Sequence, residues 1–199
     1  MVSFTVFLTN LKGAFAEEFV SKQGVIERWE RVNSDGAQVK GVEFDLGIRP
    51  ASFAEIRCGF TYKKSQYNNI LEDFNTKNFL RTPDLSGNVR LSLEATSKFS
   101  LFLAGNYIGK ADIPHEVVVE GQEEPELLLK RSDSFFQIDF GLTYQLPFNR
   151  GLGAKLYLGI KNVTNVFQDD LDKGPNRDPA YVYGPVRPRA IYFGIETAF

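Results

Sequence analysis

The sequence predicts an all-β chain of antiparallel strands, each with one apolar and one polar face. Three observations predict it. The 199 residues include 18 Phe, 8 Tyr and 17 Gly, a mix that favours strands and tight turns over helices. Apolar residues recur at every second position in run after run, which is strand period and not helix period. Between the runs, short and long polar connections follow one another in turn.

Eight runs carry the alternation. The first, "SFTVFLTNLKGAF", sets Phe4, Val6 and Leu8 on one face, and Phe7 breaks its pattern. The second, "QVKGVEFDLGIR", opposes Val42, Phe44, Leu46 and Ile48 to Glu43, Asp45, Gly47 and Arg49, with "IERWERVN" as an upstream extension. The third, "AEIRCGFTY", has Ile56, Cys58, Phe60 and Tyr62 on its apolar face. The fourth, "NVRLSLEA", has Val89, Leu91, Leu93 and Ala95, and the fifth, "FSLFLAGNY", has Phe99, Leu101, Leu103, Gly105 and Tyr107.

The sixth, "FFQIDFGLTYQL", places Phe136, Ile138, Phe140, Leu142 and Tyr144 together, and the seventh, "AKLYLGIKN", does so with Leu156, Leu158 and Ile160. The eighth, "AIYFGIETAF", ends the chain with Ile191, Phe193, Ile195 and Phe199 on one side and Tyr192, Gly194 and Glu196 on the other. From the second run onward the apolar face carries no charge, while the opposite face mixes both signs with Gly, Ser and Thr.

A soluble β-sandwich shows the same alternation, because its inner faces are apolar and its outer faces polar. The connections discriminate. Only "PASF", "TSK" and "PFNRGLG" follow the second, fourth and sixth runs, while about twenty residues or more follow the first, third, fifth and seventh. Outer-membrane barrels have short turns on one side and longer loops on the other, whereas the long connections of a Greek-key sandwich cross between sheets. The fold expected is an antiparallel transmembrane β-barrel segment of about eight strands, with short periplasmic turns and long extracellular loops. Tyr62, Tyr107, Phe136, Tyr144 and Phe199 stand near run ends, where interfacial aromatic girdles belong.

Composition narrows the function. With 23 basic and 25 acidic residues the formal charge is −2, which supplies no field for nucleic acid. The single Cys58 precludes an intramolecular disulfide, and the single His115 precludes a histidine metal cluster. No run of about 18 apolar residues exists for a membrane-crossing helix, and the mean hydropathy of −0.22 is compatible with strands that are apolar on one face only. The start, "MVSFTVFLTNLKG", lacks the basic region and cleavage site of a secretory signal.

Several segments resemble one family. "WERVNSDGAQVKGVEFDLGIRP" is similar to the Asn…Gly-Val-Glu strand of TonB-dependent outer-membrane receptors, and "YLGIKNVTNVFQDD" to their Leu-x-x-x-Asn-Leu-x-Asn strand. The tail "KGPNRDPAYVYGPVRPRAIYFGIETAF" resembles their last extracellular loop and closing strand, particularly of the kind common in the Bacteroides group. The resemblance implies a 22-stranded barrel with a plugged lumen, of which residues 1–199 correspond to the C-terminal third, without the plug or the motif that meets the energy-coupling protein. It also implies uptake of a scarce nutrient such as a ferric siderophore, cobalamin or a glycan, driven by the TonB complex, in the bacterial outer membrane. A self-contained eight-stranded barrel with a structural or adhesive role, and a soluble binding module, are the alternatives.

Candidate residues follow. Tyr192, Gly194 and Phe199 in the ending resemble the signal read by the barrel-assembly machinery. Arg177, Tyr181, Tyr183 and Arg187, with Arg189, form a cationic and aromatic group suited to an anionic ferric chelate, or to bracing a loop by stacking. His115 with Asp112 would need a serine to make an acyl-transfer triad, and no serine motif accompanies them. "EGQEEPE" and "QDDLDKGPNRD" do not fit a calcium loop and read as solvated loops. "GNYIGK" lacks the spacing of a phosphate loop, and "NVT" at Asn162 is a chance acceptor match. No catalysis and no cofactor are expected.

Overall fold

A computed structural model describes the backbone of residues 1–13, 15–23, 26–33, 35–118, 125–147 and 153–198, and their side chains except at 15–33, 147 and 198. Phe199 of the proposed assembly signal lies outside the described residues. The elements are β1 (Val2–Leu11), β2 (Phe15–Gln23), β3 (Ile26–Asn33), β4 (Ala37–Ala51), β5 (Ala54–Leu71), a 3₁₀ turn (Glu72–Phe74), β6 (Thr76–Asn78), β7 (Leu85–Thr96), β8 (Phe99–Ile108), β9 (Asp112–Val117), β10 (Glu126–Arg131), β11 (Phe135–Pro147), β12 (Gly153–Lys161) and β13 (Ala190–Ala198).

Each of the eight alternating runs is a strand of one antiparallel sheet, in the order β1-β4-β5-β7-β8-β11-β12-β13, and β6 pairs with β5. Every neighbour on this path is the next long strand in the chain, so the sheet is an up-and-down meander. The segment "IERWERVN" does not extend β4 as expected; it is β3, and it pairs with β2 in a separate hairpin. β9 and β10 form a second such hairpin. Both hairpins grow from long connections, so the long connections gather at one end of the sheet and the turns 52–53 and 97–98 at the other.

The registers make the two faces continuous. Ile48, Ile56, Leu91, Leu103, Phe140, Ile160 and Ile191 follow one another across seven strands. This face is bare: Phe4 is 66 % exposed, Ile191 72 % and Phe193 84 %. Toward the long connections it carries Phe60, Tyr62, Tyr107 and Phe136, and toward the short turns Phe99 and Tyr144. From Phe136 to Tyr144 on β11 is about 26 Å of strand, close to the ~25 Å apolar band of a membrane barrel once tilt is allowed for.

The opposite face is polar. Asp45, Gly59, Asn88, Asn106 and Gln137 align across five strands and line a groove of about 440 Å³. Beneath several aromatic rings of this face, a neighbouring strand supplies a glycine. Phe102 and Tyr192 are in one register row with Gly141 and Gly159, and a Cβ on either glycine would collide with the adjacent ring. Phe7, which broke the pattern of β1, is opposite Gly41, where an added Cβ would come within 2.7 Å of its ring. Its misfit is therefore a ring on the polar face resting over bare backbone.

β1 and β13 do not pair, so the described strands form an open sheet and not a closed eight-stranded barrel. Among the described residues no second sheet packs on the apolar face, and the buried apolar side chains are few: Ala37, Ala54, Ala111, Ile113, Phe135, Ala154 and Tyr181. That arrangement does not suit a sandwich, whose core lies between two sheets.

Candidate functional site

The clustered chemistry lies above the sheet, where the last connection, 162–189, meets the β9–β10 hairpin. The connection is fixed first at its ends. Asn162 has φ 52°, a conformation Asn tolerates better than most residues, and is 2 % exposed. Its N–H donates to Asp139 Oδ1 at 2.8 Å and its Nδ2 donates to the carbonyls of Val166 and Arg187 at 2.8 and 3.1 Å. Its Oδ1 accepts from the Val166 N–H at 3.0 Å. One side chain thus joins the outgoing and returning ends. The "NVT" at Asn162 is a structural clamp in the strand resembling the Asn-Leu-x-Asn motif.

Gln168, also 2 % exposed, folds the connection on itself. Its Oε1 accepts from the N–H groups of Tyr183 and Gly184 at 2.9 and 3.2 Å, and its Nε2 donates to the Tyr181 carbonyl at 3.2 Å. The hydroxyls of Tyr181 and Tyr183 then donate to the two oxygens of Asp170 at 2.7 and 2.8 Å.

Tyr181 is 2 % exposed and packs with Ala111 and Ile113, against which Tyr183 also rests. Its ring stacks on His115 at 3.8 Å and 20°, with Lys130 Nζ 5.0 Å from the ring centre. His115 Nε2 is 2.8 Å from Asp172 Oδ2, which also accepts from the Asp178 N–H at 3.1 Å. A carboxylate facing Nε2 requires a donor there, so Nε2 carries a proton. Nδ1 is buried without a partner among the described residues. The Arg81 guanidinium donates to the Val182 carbonyl at 3.3 Å, bringing in the β5–β7 connection.

The electrostatics follow from these bonds. Burial disfavours the charged form of Asp170, but hydrogen bonds from Tyr181, Tyr183 and Gln168 together outweigh it and hold its carboxyl below the usual range. The His115 bond, with the Asp178 N–H second, lowers Asp172. Burial, then the Asp170 carboxylate, pushes Tyr183 up to about 12 and Tyr181 up as well.

Of the expected group, Tyr181 and Tyr183 are brought together through Asp170, and the arginines stand apart. Arg177 is exposed and donates to the Gly174 carbonyl at 3.4 Å; Arg187 and Arg189 are exposed and bond through their backbones. The pairing of His115 with Asp112 does not occur: Asp112 accepts from Arg131 at 2.6 Å and from Asn78 at 2.8 Å, because the strand alternation of β9 sets 112 and 115 on opposite faces. The partner is Asp172, 57 residues away, within the run "QDDLDK" that reads in sequence as solvated. In that run, Asp170 and Asp172 were the residues missed; no periodic or spacing signal marks them. Among the described residues no group of three His, Cys, Asp or Glu side chains is placed to hold a metal ion. At the end of the chain, Tyr192 covers Gly159, while a Cβ on Gly194 would make only an ordinary 3.8 Å contact with Tyr157.

Residues 1–163 match the family described as TonB dependent receptor-like, beta-barrel. The chain belongs to that family. Among solved structures, this TonB-dependent receptor barrel is similar to the ferric-catecholate import receptor Fiu of E. coli, with a TM-score of 0.62 and 16 % identity over 99 % of this chain and 25 % of that one. It is similar to the ferric enterobactin receptor of Pseudomonas aeruginosa in complex with enterobactin, with a TM-score of 0.65 and 19 % identity over 99 % of this chain and 29 % of that one. The ferripyoverdine receptor of the outer membrane of Pseudomonas aeruginosa gives a TM-score of 0.65 and 15 % identity over 98 % of this chain and 24 % of that one. No curated protein matches. The chain spans between 24 and 29 % of the length of these three structures.

Proposed function

We propose that residues 1–199 form part of the wall and outer loops of a bacterial outer-membrane receptor that takes up a scarce nutrient, a ferric siderophore before cobalamin or a glycan, with energy from the TonB complex through a plug segment outside this chain. The observation that carries the reading is the uncharged face running from Ile48 to Ile191 across seven strands. Exposed to water, such a face is untenable; exposed to lipid, it is the surface a barrel needs. Siderophores rank first because the three similar structures named above are described as receptors for ferric-catecholate, enterobactin and ferripyoverdine. The Bacteroides-type resemblance of the tail rests on its sequence.

In this reading Arg177 and Arg187 present exposed guanidinium groups to an anionic ligand, and Tyr183 forms part of the rim. Tyr181 belongs to the same set, and its buried ring holds the loop in shape. Tyr192, Gly194 and Phe199 address the barrel-assembly machinery, with Tyr192 also covering Gly159. The test is growth and uptake. A deletion strain supplied with single ferric siderophores is expected to lose uptake of one class and recover it with the intact gene. Undiminished uptake of every siderophore offered would leave cobalamin or a glycan; a protein recovered from the aqueous fraction without detergent would sink the reading altogether.

A further inference from the structure

The apolar side of the sheet changes chemistry row by row toward the long connections, most clearly where β1, β4 and β5 lie side by side. Val6, Val42 and Tyr62 are partners in one register row and end the apolar band there. Two residues further along the strands, about 7 Å, Leu8, Lys40 and Lys64 are partners in the next row. Asn10, Gln38 and Gln66 make the row beyond, where Gln38 Nε2 donates to Asn10 Oδ1 at 3.0 Å and Gln66 Nε2 to Asn78 Oδ1 at 3.1 Å. Going outward, the face is apolar, then cationic, then amide.

Lys40 and Lys64 are directly opposite each other, a placement that destabilises the bare sheet, because like charges facing across two strands repel. Their surroundings answer only part of the charge. Lys64 Nζ is 3.1 Å from Asp84 Oδ2, and Arg131 is 2.6 Å from Asp112 and 4.0 Å from the same Asp84 oxygen. Lys40 is exposed and has no ion pair among the described residues. Three cations therefore meet two carboxylates. Further around the sheet the apolar face ends without charge, in Gly109 beyond Tyr107 and Ser134 beyond Phe136, so the excess is local to β4 and β5.

We propose that Lys40 and Lys64 hold the phosphate of an anionic lipid headgroup in the outer leaflet, a site that rests on the reading above that this face meets lipid. The acyl chains lie along Val6, Val42 and Tyr62, and the phosphate bridges the two ammonium groups and relieves their repulsion. The amide row meets the polar part of the headgroup above. An ammonium has three donors, so Lys64 keeps its bond to Asp84 while giving another to the phosphate. Lysine suits this depth, because its stem covers apolar surface while its charge reaches the headgroup level.

Native mass spectrometry of the intact protein in a neutral detergent tests this, with phosphatidic acid and phosphatidylcholine of the same chain length supplied at equal concentration. The wild type is expected to bind its first phosphatidic acid about tenfold more tightly than phosphatidylcholine, and Lys40→Gln to bind phosphatidic acid about fivefold more weakly than the wild type, the effect of one lysine beside an anionic headgroup. Lys155→Gln makes the same charge change on the polar face and is expected to leave the preference unchanged. Retained heat-modifiable migration shows that each variant has folded; if Lys40→Gln loses it, Lys64→Gln takes its place and is expected to lose at least as much, since it also leaves Asp84 without its ammonium. Equal binding of the two lipids by the wild type, or an equal loss in Lys155→Gln, overturns the site. Displacement of phosphatidic acid by inorganic phosphate at the same concentration assigns the lysines to a free anion and overturns the lipid. A protein that takes up neither lipid and stays in solution without detergent sinks the membrane reading itself, whereas phosphatidylcholine bound without preference sinks this site alone.

Discussion

The imidazole of His115 lies face to face with the phenol ring of Tyr181, 3.8 Å between centroids and 20° between planes. This pair joins two connections that contribute no strand pairing to each other. Among the described residues above the sheet, apolar burial is confined to Ala111, Ile113 and Tyr181, with Tyr183 against them and Phe135 beside Tyr183. Order in these loops therefore depends on few side chains.

Tyr181→Ala is expected to loosen the last connection without unfolding the sheet. The ring is 2 % exposed, and truncating a buried aromatic costs about 3–5 kcal/mol where the site cannot collapse. Hydrogen exchange at the Tyr183 and Gly184 amides, both bonded to Gln168, would speed up by at least about a hundredfold. Tyr181→Phe, which loses only the bond to the Asp170 carboxylate, should cost less, about 1.5–3 kcal/mol. Equal exchange in both variants would refute the ring's role.

Alkali and acid should loosen the same loop for opposite reasons. Tyr183 has its folded pKa raised to about 12 from 10.0, so its contribution is complete below pH 10 and is lost as pH rises through 12. Asp170 and Asp172 have folded pKa values below 3.8, so their contribution is present above that pH and is lost as pH falls through the folded values. Phenolate absorbance should show Asp170→Asn returning Tyr183 toward 10. An unchanged titration in that variant would show that burial alone raises it, without the carboxylate.

The glycines beneath aromatic rings should resist substitution. Gly159→Leu must displace Tyr192, and Gly141→Leu must displace Phe102; overpacking of this kind costs about 1–3 kcal/mol. Gly194→Ala, which meets only Tyr157 at 3.8 Å, should be tolerated. The comparison is read from urea titration in lipid vesicles. Equal stability of Gly159→Leu and the parent would exclude the contact.

Charge should be tolerated on one face and not on the other. Leu103→Arg places a cation in the middle of the apolar row and is expected to cost about 2–4 kcal/mol in a bilayer. Asn106→Arg, three residues on and on the polar face, should cost less than about 0.5 kcal/mol. The same vesicle titration measures both, and similar losses at the two positions would rule out a lipid-facing role for Leu103.

Much of the sheet was legible in the sequence because a strand's side chains alternate whatever lies beside it. Ile56 against Arg57, or Leu103 against Ala104, needs no tertiary knowledge to assign to a face. Phe7 defeated that reading because its place is decided by Gly41 on another strand. The segment "IERWERVN" was misplaced for a similar reason: alternation marks a strand but does not name its partner. The candidate site was less legible. Tyr181 and Tyr183 stand out in the sequence as aromatic loop residues, but Asp170, Asp172 and Gln168 do not, since isolated polar residues in a connection have no period to betray a bond.

By itself the sequence determined that strands form, which face of each is apolar, and that long and short connections alternate, because all of these depend on local chemistry and chain order. Only the tertiary structure decided that β1 and β13 remain unpaired, that His115 takes Asp172 and not Asp112, and that one buried ring joins two loops. The last two depend on which distant side chains the folded connections bring within 2.8 and 3.8 Å. Hydrogen bonds and ring contacts act only over such short distances, a few ångströms.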